Sequence, residues 1–598
     1  MIRRHDMPFG ASVGDDGVRF RLWAPSAGQV TLCLEDGPEL PMPAAGEGWY
    51  ELTSTAARAG SRYRFRVDGK LRVPDPASRY NPDDVHGASE VIDPAAFDWQ
   101  DGDWRGRPWH EAVIYELHVG SFSPEGTFAG VEARLDDLAA TGITAIELMP
   151  VADFPGTRNW GYDGVLPYAP DAAYGRPEGL KRLVQAAHAR GLMVLLDVVY
   201  NHFGPEGNYL HVYARRFFNE RHRTPWGAAI NFDGDDARPV REFFIHNALY
   251  WLEEYHLDGL RLDAVHAIKD DSRPDIVEEL GARVRAALGG RRHAHLVLEN
   301  DANTARYLAG DFDAQWNDDI HHCFHTLLTG EADGYYHDYA QNRYWLLGRC
   351  LAEGFAFQGE ASSFRGGETR GEPSRQLPPT RFVSFLQNHD QIGNRAFGER
   401  LTELAEPAAL RAAAAIQLLA PNPPLLFMGE EWGTRRCFPF FCDFGPELAA
   451  AVTEGRRREF ARFERFQDPK ARQAIPDPSA PATFAAAKLD WGEREAPAHR
   501  EWLRFYRALL NLRRQVLVPR LARIPGDNGD LDVLGEQGIR VAWYLDDGSR
   551  YAVTANLSDR PLRAWVPEGE VVYAAPSPGE SDTLPPWCVV WTLERGHG

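Results

Sequence analysis

Leu192-Met-Val-Leu-Leu-Asp-Val-Val199 decides how this chain is read. The run is apolar but for one acid, the pattern of a strand buried on both faces in a parallel sheet. A helix-like segment, residues 177–190, precedes it. The same alternation begins upstream, where Val113-Ile-Tyr-Glu-Leu-His-Val119 reads as a strand, residues 130–141 as a helix and Ala145-Ile-Glu-Leu-Met149 as a strand. Downstream, strand-like runs recur at 259–263, 295–299, 311–316, 382–387 and 424–428. Eight such strands predict an α/β fold, a (β/α)8 TIM barrel with long insertions, whose chemistry belongs where strands end and loops begin.

Outward from the barrel the periodicity changes. Val18-Arg-Phe-Arg-Leu-Trp23 and Ser61-Arg-Tyr-Arg-Phe-Arg-Val67 alternate apolar and polar residues, as half-buried strands do. Residues 1–95 are expected to form an N-terminal β-sandwich of the carbohydrate-binding kind, with the proline- and aspartate-rich stretch 73–103 as its exit. Past an amphipathic helix at 499–516, short strands return in Val541-Ala-Trp-Tyr-Leu545, Arg550-Tyr-Ala-Val-Thr-Ala-Asn556 and Cys588-Val-Val-Trp-Thr-Leu593. They predict a C-terminal β-sandwich over 516–598, which leaves 96–515 to the barrel.

The 598 residues are too many for one core, and 44% apolar with 25% charged residues is a globular composition. A net charge of −21 argues against nucleic acid, which needs a basic face. The six cysteines show no CxxC spacing, so neither a zinc site nor a disulfide framework is expected. The opening Met1-Ile-Arg-Arg-His-Asp lacks the apolar core of a signal peptide, and no apolar run approaches a membrane span. A cytoplasmic protein with free thiols, no membrane partner and no cofactor is the expectation.

Four apolar runs end in acids and amides: Leu195-Leu-Asp-Val-Val-Tyr-Asn-His202, Gly259-Leu-Arg-Leu-Asp263, Leu296-Val-Leu-Glu-Asn-Asp301 and Phe385-Leu-Gln-Asn-His-Asp390. Residues two apart on a strand share a face, so Arg261 and Asp263 point together into the barrel mouth. An adjacent arginine favours an ionised Asp263, while burial at a strand end favours a protonated Glu299. Asp390 adds negative charge nearby. Carboxyls in these roles match glycosidic cleavage, in which a nucleophile attacks the anomeric carbon and an acid protonates the departing oxygen. The apposed Arg261 would repel a divalent ion, so no metal is expected here.

These four segments resemble the signature regions of the α-amylase superfamily of retaining glycosidases. The resemblance implies Asp263 as nucleophile, Glu299 as general acid/base and Asp390 as transition-state stabiliser. It also implies Arg261, His202, His389 and Asn388 around the reacting glucose, with Tyr162 and Trp160, from Asn159-Trp-Gly-Tyr-Asp163, as its aromatic contacts.

Further segments, Asp313-Ala-Gln-Trp-Asn-Asp-Asp-Ile-His-His322, Leu425-Leu-Phe-Met-Gly-Glu-Glu-Trp432 and Phe438-Pro-Phe-Phe-Cys-Asp-Phe444, are similar to those of the members that cut the α-1,4 bond beside a terminal trehalose. The implied partner is a maltooligosyltrehalose or a related α-glucan. One departure stands out: those members usually carry an acid–histidine pair after the Phe-Phe element, where this chain has Phe444-Gly445 after Asp443. A glucan branching enzyme and a plain α-amylase of the same superfamily are the alternative readings. The intact Asn201-His202 pair looks less like the branching relative. Asp197 and Asn201 read equally well as loop-fixing groups, and Glu116 and His118 as supports.

Overall fold

The computed structural model describes residues 4–461, 464–566, 568–578 and 582–596. Its centre is an eight-stranded parallel barrel: β1 (Ile114–Leu117), β2 (Ala145–Leu148), β3 (Met193–Val198), β4 (Gly259–Leu262), β5 (His295–Leu298), β6 (Ala314–Trp316), β7 (Phe382–Val383) and β8 (Leu425–Phe427). The strands pair in the order β7-β6-β5-β4-β3-β2-β1-β8, every neighbour parallel. One parallel bridge, Ser384 to Pro424, joins β7 to β8 and closes the ring.

Every residue of these strands is buried, which explains why the runs are apolar on both faces. Alternate residues point inward. Ile114, Ala145, Met193, Leu195, Val297, Ala314, Trp316, Val383, Phe385 and Leu425 form a separate inner cluster. At the register above it the inward residues become polar. Glu116 pairs with Glu147 and Asp197 with Arg261, so the barrel core passes directly into the site.

Some segments are shorter than the sequence suggests. The run 382–387 contributes only Phe382–Val383 to the ladder, because its partner β6 ends at Trp316 and the chain there turns into the helix from Asp318. The helix expected at 130–141 is broken into Phe128–Glu132 and Leu135–Thr141. The helix expected at 499–516 is α-helical over Pro497–Leu512 and widens to a π-turn over Arg513–Leu517.

Two antiparallel sheets lie N-terminal to the barrel, one ordered Gly10–Gly14, Gly17–Trp23, Trp49–Ser54, Ala44–Gly46 and the other Glu39–Met42, Val30–Leu34, Arg62–Val67, Leu71–Val73. Phe9 meets Phe243 edge-on at 5.3 Å. Arg79 donates to both oxygens of Glu254 at 3.2 Å and to the Ala11 carbonyl at 2.7 Å. Phe243 and Glu254 lie on one barrel helix, Ala237–Glu254, so the N-terminal sheets are docked on it by a buried ion pair. C-terminal to the barrel is a five-stranded antiparallel sheet with an additional two-stranded ribbon. All six cysteines are free. Among the described residues no helix is long and apolar enough to cross a membrane.

Candidate active site

Arg261 organises the mouth of the barrel. Gly259, two residues earlier, lies so close to β5 that a Cβ there would stand 2.6 Å from the His295 carbonyl oxygen. Arg261 lies flat over the Trp316 ring, its Cζ 4.0 Å from the centroid, and is 1% exposed. Its Nη1 donates to Asp197 Oδ1 and Oδ2 at 2.8 and 2.7 Å and to Asp263 Oδ1 at 2.8 Å. Its Nη2 lies 2.9 Å from Glu299 Oε2. A second donor, the Ala264 N–H, reaches the same Glu299 oxygen at 2.9 Å. Ala264 adopts a left-handed φ of 40°, part of the turn that brings the chain back across the end of β5.

Asp263 and Glu299 are thus held by the two nitrogens of one guanidinium, close enough for each charge to bear on the other. Two carboxyls placed so near disfavour the doubly ionised form. Burial raises Asp263 well above the usual carboxylate range, and the Glu299 charge raises it further. Burial pushes Glu299 up as well, but Arg261 and the Ala264 N–H outweigh it and draw Glu299 below its ordinary value. These directions run opposite to the expected ionised Asp263 beside a protonated Glu299. The arginine does not serve Asp263 alone but divides its charge among three carboxyls.

The remaining predicted residues fall around this pair. Asp390 follows β7 in the helix His389–Gly393, and its carboxyl is raised by burial, with Glu299 adding to the effect. His389 bonds Glu116 Oε1 through Nδ1 at 2.5 Å. Burial opposes protonation of this imidazole, but the Glu116 charge prevails and raises it. Tyr162 stacks on His389 at 5.1 Å and donates from its hydroxyl to Asp197 Oδ2 at 2.6 Å. Asp197 is thus the hinge between Arg261 and Tyr162, a positioning role.

Three residues are placed differently from the expectation. Trp160 is 4% exposed, stacked on Phe438 at 5.5 Å and pressed against Gly393, where a Cβ would fall 1.9 Å from its ring. Buried in this way, it braces the Tyr162 loop and offers no sugar platform. His202 commits both ring nitrogens, to Asn201 at 2.7 Å and to the Tyr162 carbonyl at 2.9 Å, and burial lowers it to about 4. Asn388 is buried and uses Oδ1 to cap the helix that carries Asp390. Trp316 and Trp432 are both buried.

Sequence reasoning missed other members. Glu147 sits in the barrel with neither carboxyl oxygen paired, held well above the usual range by burial and by Glu116. Trp226, 51% exposed, lies on His202 with centroids 4.3 Å apart and planes 4° from parallel; it belongs to a hairpin insertion that carries no motif. Asp443 accepts from the Thr157 N–H at 2.9 Å and from Arg158 at 2.6 Å. The acid in the departing Asp443-Phe-Gly445 segment therefore anchors the loop that bears Tyr162. One cluster among the described residues, His222, Asp233 and Asp271, brings three potential metal ligands within 4.8 Å. Arg221 and Asn219 already occupy Asp233, and the cluster contributes nothing to the carboxyl ring.

Family models match three stretches: "Carbohydrate-binding module 48 (Isoamylase N-terminal domain)" over 8–94, "Alpha amylase, catalytic domain" over 92–248 and "Domain of unknown function (DUF3459)" over 526–591. Among curated relatives, a malto-oligosyltrehalose trehalohydrolase of Saccharolobus solfataricus is 40% identical over 531 residues, 88% of this chain and 90% of that protein. Its counterpart from Deinococcus radiodurans is 44% identical over 506 residues, 84% of this chain and 82% of that one. The crystal structure of a candidate alpha amylase from Salmonella typhimurium superposes with a TM-score of 0.93 at 42% identity, covering 98% of this chain and all of the other.

Proposed function

The chain belongs to the malto-oligosyltrehalose trehalohydrolases of the α-amylase superfamily, and from that membership we propose the roles of its own residues: Asp263 is the nucleophile, Glu299 the acid/base and Asp390 the transition-state stabiliser. The protein is a glycoside hydrolase that cuts the α-1,4 bond beside the terminal trehalose of malto-oligosyltrehalose, releasing trehalose with retention of configuration.

The observation that carries the assignment of roles is that one guanidinium holds both carboxyls, Nη1 at 2.8 Å from Asp263 and Nη2 at 2.9 Å from Glu299. An inverting enzyme must seat a water between its carboxyls and separates them by about 6.5–9.5 Å, whereas a retaining pair stands about 5–5.5 Å apart. Two carboxyls gripped by the same guanidinium favour the closer, retaining arrangement.

One proton serves the pair, and with substrate bound it sits on Glu299, next to the bond to be cleaved. Asp263, left anionic and held by Arg261, attacks the anomeric carbon. Glu299 gives its proton to the departing oxygen, and trehalose leaves as an alcohol. Glu299, now a carboxylate, deprotonates water, which cleaves the glycosyl ester and returns Asp263 to its starting form. The surrounding carboxylates favour the positive charge that develops on the sugar ring. His389, fixed by Glu116, and Tyr162, fixed by Asp197, hold that ring; His202 and Asn388 support these groups from behind.

We divide the chain into a sandwich to about residue 95, a barrel to about 515 and a second sandwich beyond. Six free thiols suit a reducing compartment, and a cytoplasmic location is proposed. The test is product analysis on a trehalose-capped maltooligosaccharide beside an uncapped one of equal length. Trehalose from the capped substrate, with strong preference for it, is expected. Equal action on both, or new α-1,6 branches in amylose, would replace this reading with an α-amylase or a branching enzyme.

A further inference from the structure

We propose that Asp318 is a fourth carboxyl of the active site, a substrate-contacting residue that binds a hydroxyl of the sugar on the leaving-group side. The inference rests on the trehalohydrolase reading for the identity of that sugar. For its location it rests on the barrel alone.

β6 pairs with β5 on one side and β7 on the other, so its end lies between the strand ends that deliver Glu299 and Asp390. Asp318 begins the helix Asp318–Thr329 immediately beyond β6. Asp263, Asp390, His389 and Tyr162 already surround the ring to be attacked. The arc from Glu299 to Asp318 is what remains for the sugar whose oxygen Glu299 protonates.

The two consecutive acids at this helix start are used in opposite ways. Asp319 is buried and fully engaged, accepting from Arg370 Nη1 at 2.6 Å, from Asn303 at 2.9 Å and from the Ala356 N–H at 2.8 Å. Asp318 is partly exposed and forms no ion pair among the described residues. Gln391 Nε2, on the helix that carries Asp390, donates to its Oδ1 at 3.4 Å.

An acid in a first helical turn is stabilising through the helix dipole, and Asp319 already supplies that. A second acid near Glu299, Asp301 and Asp390 opposes stability, and Arg370, already bonded to Asp319, offsets this only in part. Burial, then the charge of Glu299, holds the Asp318 carboxyl well above the ordinary range. A neutral carboxyl both donates and accepts, which fits a sugar hydroxyl.

The test compares kcat and KM for the unsubstituted enzyme, Asp318→Asn and Asp318→Ala on three substrates: maltotriosyltrehalose, maltopentaose and an aryl α-maltoside, whose leaving group is not a sugar. The expected result is a fall of at least about tenfold in kcat/KM on the two sugar-leaving substrates, carried mainly by KM. The aryl substrate should change by less than roughly twofold, and thermal stability should be unchanged or higher. A parallel fall on all three substrates, or no change on any, overturns the proposal. A wrong trehalohydrolase reading appears elsewhere, as no preference of the unsubstituted enzyme for the capped substrate. Maltopentaose against the aryl maltoside would still decide what Asp318 does.

Discussion

At the scale of single residues, the protonation of the site follows from one guanidinium serving Asp197, Asp263 and Glu299. A lysine could neutralise one carboxyl but could not bridge several from a planar fork. Arg261→Lys should therefore lower kcat by at least about a hundredfold, with a smaller effect on KM, in steady-state kinetics on the capped substrate. A second prediction concerns His389. The Glu116 charge raises the imidazole against the effect of burial, so Glu116→Gln should let it lose its proton more readily. The alkaline limb of the kcat/KM profile should then move to lower pH. An unmoved limb would mean that His389 does not titrate in the working range. Asp263, Glu299 and Asp390 were legible as candidates because each ends an apolar run at a strand end. Asp318 and Glu147 were not, because a second acid at a helix start and an acid inside a strand look like ordinary solvated or structural groups. Trp226 stacks on His202 across an insertion, and no local spacing encodes that contact.

At the scale of elements, the loop between Pro150 and Asp163 depends on one glycine. Gly161 has a φ of +104°, and a Cβ there would fall 2.1 Å from the Pro150 carbonyl oxygen, so only glycine turns the chain between Trp160 and Tyr162. Gly161→Ala should displace Tyr162 from Asp197 and His389, lowering kcat/KM by roughly a hundredfold with a modest fall in Tm. The segment after β8 makes a different prediction. Glu430 accepts from Tyr506 at 3.1 Å and is raised from 4.5 to about 7 by burial. The folded state binds this proton more tightly than the unfolded chain. Its contribution to stability is full below about pH 4.5 and is lost as pH rises through about 7. Glu430→Gln stays neutral throughout. Its Tm relative to the parent should climb between pH 5 and pH 8, by the equivalent of up to about 3 kcal/mol; a flat difference would contradict the buried neutral form. The strands were readable because burial on both faces leaves an unbroken apolar run. Their ends were not, since β7 stops pairing where β6 ends at Trp316, in a neighbour distant in sequence.

At the scale of the whole molecule, the order sandwich, barrel, sandwich was visible as a switch from alternating to continuous hydrophobicity and back. What joins the parts was not. Arg79 and Glu254 are 175 residues apart and meet only because the N-terminal sheets dock on the Ala237–Glu254 helix. Arg79→Ala would leave Glu254 buried and short of its partner, a loss of about 3–5 kcal/mol, seen as a lower Tm. Retention of the parent Tm would show that the docking does not depend on this pair. The barrel's claim on function is tested most directly at Asp263. A fluorinated glycosyl fluoride forms the glycosyl ester faster than water removes it, and peptide mass spectrometry then locates the bond. Covalent glycosyl mass on the peptide bearing Asp263, absent in Asp263→Ala, is the predicted result. A label on any other residue, or no label with hydrolysis proceeding by inversion, would contradict it.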